Sequence, residues 1–145
     1  MTRLYVDTSA LVKWYVAEAY SDAFEAFVAG HPGALISRLT MLELRCTLAR
    51  RKRNREIDEA AEREVCRTFE SDILLGHLQV EPLRDEHLAM GQHFMEQLGE
   101  VPLRTLDAIH LAIAVDSKAD LIATADRIMA QAAQQLGLQV EQFFA

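Results

Sequence analysis

The sequence predicts an α/β fold, a parallel sheet with helices on both faces. Three observations carry that prediction. Short apolar runs alternate with helical stretches of about ten residues or more along the whole chain, as when parallel strands are joined by crossover helices. One of those stretches, TLDAIHLAIAV at 105–115, is apolar almost all round, so most of its surface must be covered. The chain has 145 residues, half of them apolar, enough for one domain spanning 1–145 to bury a core without disulfide staples.

The elements follow in order. RLYV (3–6) reads as a short strand running into Asp7. A helix follows through ALVKWYVAE (10–18), and another through SDAFEAFVAG (21–30), closing at Gly30. HPG (31–33) is turn chemistry, and ALIS (34–37) is a second strand. Thr40 is expected to cap a helix through MLELRCTLARRKRN (41–54), with Glu43 three residues on as a capping-box partner. Asp58 is expected to cap a long helix through EAAEREVCRTFESDILL (59–75), closed by Gly76. LQVEPL (78–83) reads as a strand stopped by Pro82. DEHLAMGQHFMEQLG (85–99) reads as an amphipathic helix, with Leu88, Gly91 or Gln92, Met95 and Leu98 along one side. After the apolar helix come a strand, ADLIATA (119–125), a helix, DRIMAQAAQQLG (126–137), and a last strand, LQVEQF (138–143). The chain carries no internal repeat, low-complexity segment or linker.

No run of about eighteen residues lacks charge, which argues against a membrane span. The first residues have no basic stretch leading into a long apolar segment, so no secretory signal is expected and the expected compartment is the cytoplasm. Cys46 and Cys66 lack C-x-x-C spacing and read as reduced, buried thiols. The net charge of −7 hides an uneven distribution. Residues 68–145 carry four basic and twelve acidic side chains, a balance of −8, whereas the first 67 carry eleven and ten, a balance of +1. Six of the basic residues fall within RCTLARRKRNR (45–55). This stripe suits phosphate contacts, docking of an acidic partner, or a solvated helix face.

Four acids stand at element ends. Asp7 closes the first strand, Asp126 follows the LIAT strand, Asp107 lies in the first turn of the apolar helix, and Glu43 lies near the start of its own. An ionised carboxylate at the end of a buried strand is costly unless something pairs with it. Open parallel sheets bind ligands at the carboxyl ends of their strands, so the four could meet at one sheet edge. Taken singly, each has a plainer reading: Asp126 as a helix cap, Glu43 as half of a capping box, Asp107 as an answer to the helix dipole. Asp7 is the hardest to dismiss, because a cap usually sits in a polar turn.

Taken together, VDTSALVKWYVAE, SRLTMLELRCTLAR, LRTLDAIHLAIAV and DLIATADRIM resemble the PIN-domain ribonucleases, in particular the toxins of VapBC toxin–antitoxin pairs. The resemblance runs from Leu4 to about Phe143 and implies a three-layer α/β/α fold with a parallel sheet of about five strands. It puts the family's four acids on Asp7, Glu43, Asp107 and Asp126, and its accompanying polar positions on Ser9 and Thr124. It implies metal-dependent RNA cleavage leaving a 5′-phosphate and a 3′-hydroxyl. It also implies a cognate antitoxin, operator DNA contacted only through that antitoxin, and a homodimer.

Carboxylates without a histidine or cysteine cluster make an oxygen-only site, which suits Mg²⁺ or Mn²⁺ and not zinc. Asp7, Asp107 and Asp126 are the expected ligands. Glu43 is expected to orient the nucleophilic water, and Ser9 and Thr124 to aim the carboxylates. Arg45, Arg50, Arg51, Lys52 and Arg53 are the candidate RNA contacts. His110 reads as a core histidine, His87 and His93 as structural groups on an exposed helix, and Trp14 and Tyr15 as core or interface. Rival readings are a PIN-like binding module without turnover and another Mg²⁺-dependent phosphoryl-transfer domain. Haloacid-dehalogenase-type phosphatases need an acid where this chain has Ser9, and a receiver domain needs a lysine after a late strand, whereas Lys118 precedes one.

Overall fold

Strand alternation sorts the apolar side chains onto two faces, and helices cover both. In a computed structural model describing residues 2–145, the elements run β1 (Leu4–Val6), α1 (Thr8–Tyr15), α2 (Ser21–Ala29), β2 (Ala34–Ser37), α3 (Arg38–Arg53) and α4 (Glu59–Leu74). They continue as β3 (Leu78–Glu81), α5 (Asp85–Gln97), α6 (Thr105–Asp116), β4 (Leu121–Thr124), α7 (Arg127–Gln135) and β5 (Gln139–Gln142). The five strands form one parallel sheet in the order β3-β2-β1-β4-β5.

Successive side chains of a strand point to opposite faces. Leu4, Val6 and Ile36 therefore pack with Leu11, Phe24, Leu44, Leu48 and Phe69 of α1 to α4. Tyr5, Leu35 and Ile122 pack with Phe94, Leu111, Ile113 and Met129 of α5 to α7. The result is three layers, α/β/α. Helix α6 lies deepest: Asp107 to Ala114 are buried without interruption.

The chain builds β1, β2 and β3 outward on one side, then returns to place β4 against the other edge of β1. Strand order thus reverses between β1 and β4, which pair as Leu4 with Leu121, Tyr5 with Ile122 and Val6 with Ala123. Their carboxyl ends are side by side, and the Asp7 amide donates to the Ala123 carbonyl at 3.2 Å. A crevice at such a reversal is where this class of sheet takes ligands.

Several expectations need correction. The cap of α3 is Ser37, whose hydroxyl accepts from the Thr40 amide while Thr40 answers from the third position of the helix. Thr40 is therefore the inner half of the capping box, and Glu43 is free of it. Helix α5 buries His87, Gly91 and Phe94, while Leu88 and Met95 are exposed. His87 is no surface group: its Nε2 meets Asp116 at 2.8 Å and its Nδ1 accepts from the Arg84 amide at 2.9 Å. Cys46 is exposed and only Cys66 is buried, both as free thiols. Trp14 and Tyr15 pack against the first core, as their spacing from Leu11 suggests. No helix among the described residues is long and apolar enough to cross a membrane.

Gly91 sits in the middle of α5 against Ala108 of α6, and a Cβ built there would lie 3.5 Å from the Ala108 Cβ, ordinary contact. Gly inside a helix is less favourable than Ala by about 0.8–1 kcal/mol. Gly91→Ala should therefore raise the free energy of urea unfolding by roughly 0.5–1 kcal/mol. A lower midpoint would mean that the two helices tolerate no added methyl.

Candidate active site

A cleft of about 940 Å³ opens at the carboxyl ends of β1 and β4, between α1, α3, α6 and the start of α7. Asp7, Glu43, Asp107 and Asp126 all line it, with Ser9, His110 and Arg104. Acids from four separate stretches of the chain therefore share one cavity.

Asp7 is a cap and a cleft group at once. It is only 3% exposed. One oxygen, Oδ1, accepts from the Ala10 amide at 3.0 Å, capping α1, and from Ser9 Oγ at 2.7 Å. The other, Oδ2, accepts from Thr124 Oγ1 at 2.5 Å. Burial pushes the Asp7 carboxyl above its ordinary range, against the pull of His110 and these hydrogen bonds. Ser9 and Thr124 also hold the turn after β4, because Ser9 Oγ accepts from the Ala125 amide at 2.9 Å and Thr124 Oγ1 from the Asp126 amide at 3.0 Å. The two hydroxyls thus tie Asp7 to the backbone that carries Asp126.

Asp126 caps α7, its Oδ1 accepting from the Ile128 and Met129 amides at 2.8 and 3.2 Å. Asp107 lies in the first turn of α6, where its Oδ2 accepts from the Arg104 amide at 3.3 Å. Arg104, 64% exposed in its side chain, bridges the two acids: Nε donates to Asp107 Oδ2 at 3.0 Å and Nη2 donates to Asp126 Oδ2. Glu43 Oε1 accepts from Thr8 Oγ1 at 2.7 Å and from His110 Nε2 at 2.5 Å. Burial alone would raise the Glu43 carboxyl, but the His110 bond and charge and the Thr8 bond outweigh it and hold it below the usual glutamate value.

Sequence reasoning missed Arg104, Thr8 and the role of His110. A signal for His110 was present. It is the only polar residue between Asp107 and Asp116 in an otherwise apolar helix, and a buried polar group in such a place has a partner. Arg104 gave no comparable signal.

No three acidic, histidine or cysteine side chains among the described residues are arranged as ligands of one ion. The donor chemistry nonetheless suits a hard divalent cation. Mg²⁺ is held by one or two carboxylates, and waters and substrate phosphate oxygens complete its shell, so a cage of three acids is not required. Among the described residues, Asp107 Oδ1 takes no protein hydrogen bond and keeps its lone pairs for such use, and Glu43 Oε2 likewise takes none and is open to a water.

The basic stripe does not form one face. Helix α3 turns Arg50 and Arg51 to the cleft, two turns beyond Glu43. Arg45 and Lys52 turn to α4, meeting Glu70 at 3.4 Å and Glu62 at 2.9 Å, so neither stands at the cleft. Arg53, also absent from the cleft lining, is exposed at the last turn. Arg51 Nη2 reaches Glu18 at 2.7 Å, and the same carboxylate takes the buried Lys13 Nζ at 2.9 Å.

That trio gives the cleft wall a pH dependence. Burial would raise the Glu18 carboxyl, but Lys13 and Arg51 outweigh it and hold the group below its ordinary value. A carboxylate lowered on folding stabilises fully above its unfolded value, about pH 4.3, and loses that contribution as the pH falls through its folded value. The stability gap between wild type and Glu18→Gln should therefore be widest near about pH 7 and close as the pH drops below about 4. A gap of constant size across an acid titration monitored by circular dichroism would rule this out.

Comparison with known proteins bears on these residues. The sequence profile of the PIN domain family matches residues 4–135. Ribonuclease VapC45 of Mycobacterium tuberculosis is 32% identical over 142 residues, covering 97% of this chain and 95% of that protein. Ribonuclease VapC47 of the same species is 30% identical over 124 residues, covering 83% and 80%. Among solved structures, DNA-bound VapBC from Salmonella typhimurium superposes with a TM-score of 0.65 at 17% identity, covering 99% of each chain.

Proposed function

The chain belongs to the PIN domain family and is a VapC-type ribonuclease, and from that premise we propose that it is a toxin whose RNA hydrolysis requires Mg²⁺, with Mn²⁺ able to substitute. One observation carries the reading: Asp7, Glu43, Asp107 and Asp126 line a single cleft at the strand-order reversal.

Asp7 and Asp107 would be the principal holders of the cation, and Asp126 would hold it through a water or hold a second ion. When bound, a divalent cation supplies positive charge to the phosphodiester and makes a coordinated water a better nucleophile at neutral pH. The chain's own groups do the rest. Glu43, with Oε1 tied back by Thr8 and His110, has Oε2 to accept a proton from the attacking water. A new bond forms between the water oxygen and phosphorus, the bond to the 3′ oxygen breaks, and the leaving 3′ oxygen takes a proton from solvent, so that the products are a 5′-phosphate and a 3′-hydroxyl. Ser9 and Thr124 keep Asp7 aimed through the step. Arg50 and Arg51 on the cleft wall suit flanking phosphates.

The partners proposed are an RNA substrate, a cognate antitoxin and a second copy of the chain. Leu42 and Leu106 are 63% and 45% exposed beside the cleft mouth, an apolar rim suited to an amphipathic antitoxin helix. Operator DNA would be reached through that antitoxin.

Millimolar Mn²⁺ should raise the melting temperature of the wild type, since a ligand of the folded state alone stabilises it. Asp107→Asn should remove both that rise and RNA cleavage. Asp7→Asn should abolish cleavage yet melt no lower than wild type without divalent ions, because the amide still caps α1 and lifts a charge out of a buried place. Identical wild-type melting with and without Mn²⁺, together with cleavage in chelator, would overturn the metal dependence. Arg50→Gln should weaken RNA binding and reduce the slope of log affinity against log salt by about 1, as for one lost phosphate contact. An unchanged slope would take Arg50 off the RNA path.

A further inference from the structure

Glu43 is held by a chain of hydrogen bonds that begins on its own helix. Ser37, the cap of α3, meets the Tyr5 hydroxyl at 3.0 Å. The Tyr5 hydroxyl meets His110 Nδ1 at 2.7 Å, and His110 Nε2 meets Glu43 Oε1 at 2.5 Å. A second tether comes from α1, where Thr8 Oγ1 donates to the same oxygen at 2.7 Å. The carboxylate can only accept, so His110 Nε2 carries the proton of its bond. Tyr5, Ser37 and His110 are all buried, at 0%, 0% and 2% exposure, so the chain lies in the core between the sheet, α3 and α6.

Core packing gives no reason for this expense of polar groups. The core on the same face of the sheet as Tyr5 is apolar and buried, with Leu35, Ile109, Leu111 and Ile122. Buried polar groups are high-stakes, since each must be satisfied, and a fully satisfied network fixes its members in one geometry. What this network fixes is one oxygen of Glu43. With two donors on Oε1, the rotation of the carboxyl group is set, and Oε2 is left as the oxygen available to the cleft. The donors come from three elements, α1, α6 and, through His110, β1, so the geometry does not depend on the flexible stem of the glutamate.

We propose that His110, braced by Tyr5, is a positioning residue for the cleavage reaction: it sets the orientation of Glu43 so that Oε2 faces the attacking water. This rests on the role given to Glu43 above. His110 borders the cleft but is 2% exposed, and both its ring nitrogens are engaged by Tyr5 and Glu43. It acts through Glu43, and the imidazole is needed as a donor at a fixed place. A side chain that keeps a donor near the Nε2 position should therefore recover function, and an apolar side chain of similar volume should not.

The test compares wild type, His110→Gln, His110→Leu and Tyr5→Phe, with Glu43→Gln as reference. Each is assayed on a fluorophore–quencher RNA pool of randomised sequence with Mn²⁺, and each is checked by thermal melting. His110→Leu should lower kcat roughly tenfold to a hundredfold with KM within about twofold, the signature of a group that matters in the transition state and not in binding. His110→Gln should regain most of that loss, and Tyr5→Phe should lose less than His110→Leu while melting cooperatively. Equal activity of His110→Leu and wild type, equal loss in the Gln and Leu variants, or a loss confined to KM would overturn the proposal. Should His110→Leu fail to fold, His110→Gln and Tyr5→Phe decide the matter: full activity in Tyr5→Phe together with inactivity in a folded His110→Gln would overturn it. Glu43→Gln separates the two levels. If it is inactive while both His110 variants cleave like wild type, only this inference falls. If it cleaves like wild type, the role of Glu43 falls, and the inference with it.

Discussion

The pairing of β1 with β4 is the constraint on which the cleft depends. These strands are far apart in the chain, yet Val6 stands beside Ala123, and the Asp7 amide continues the ladder by donating to the Ala123 carbonyl. Parallel strands start and end together, so this register puts both carboxyl ends at one level. Asp7 and Asp126 arrive as neighbours from the pairing itself. The crossing of Thr124 and Ser9 between the two strand ends then follows, since each hydroxyl has an acid or amide of the other strand within reach. A slip of one residue in this register would turn Tyr5 away from His110 and Val6 away from the first core.

Placing carboxylates here has a desolvation cost, and the local structure offsets it. Three of the four acids double as helix-start groups: Asp7 caps α1, Asp126 caps α7, and Asp107 answers the amide that opens α6. Helix starts present unsatisfied amides and a positive dipole end, which favour an anion. The fourth, Glu43, lies inside α3 and has no such help, so it takes Thr8 and His110 instead. The capping readings and the converging-acid reading of the sequence are therefore not alternatives. Capping is the means by which charged groups are kept in a place suited to a cation.

What was legible in the sequence depends on whether the signal was local. Strands ALIS and LIAT, the caps Asp58 and Asp126, and the stop at Pro82 rest on nearest neighbours, and they stand as read. The cap of α3 was misread because Ser37 and Thr40 are both good caps, and only the end of β2 decides between them. The buried side of α5 was read half right: Gly91 and Leu98 are buried, but Leu88 and Met95 are exposed and His87 and Phe94 face inward in their place, beside the close approach of α6 at Gly91. Cys46 follows the same pattern, an apolar residue by type on a face that meets solvent. His110 is marked as a buried polar group by its apolar helix, but its partner Glu43 lies 67 residues away, and Arg104 pairs locally with Asp107 but gains its bridging role from Asp126, 22 residues away.

The stripe of arginines teaches the same lesson about charge. A net charge of −7 counts against an RNA-binding protein only if charges act as a sum. At physiological ionic strength they act within about 8 Å. Arg45, Lys52, Arg63 and Arg67 are matched by Glu70, Glu62, Glu59 and Glu64 along α3 and α4, so that flank is close to neutral at short range. Among the described residues Arg50 makes no ion pair, and it stands on the cleft wall. The cleft lining carries Arg50, Arg51 and Arg104 together with the acids Asp7, Glu18, Glu43, Asp107 and Asp126, so a phosphate entering it would meet both signs of charge. The potential that matters is set by which charges face the cavity, and along α3 the helical period decides which of the basic residues do.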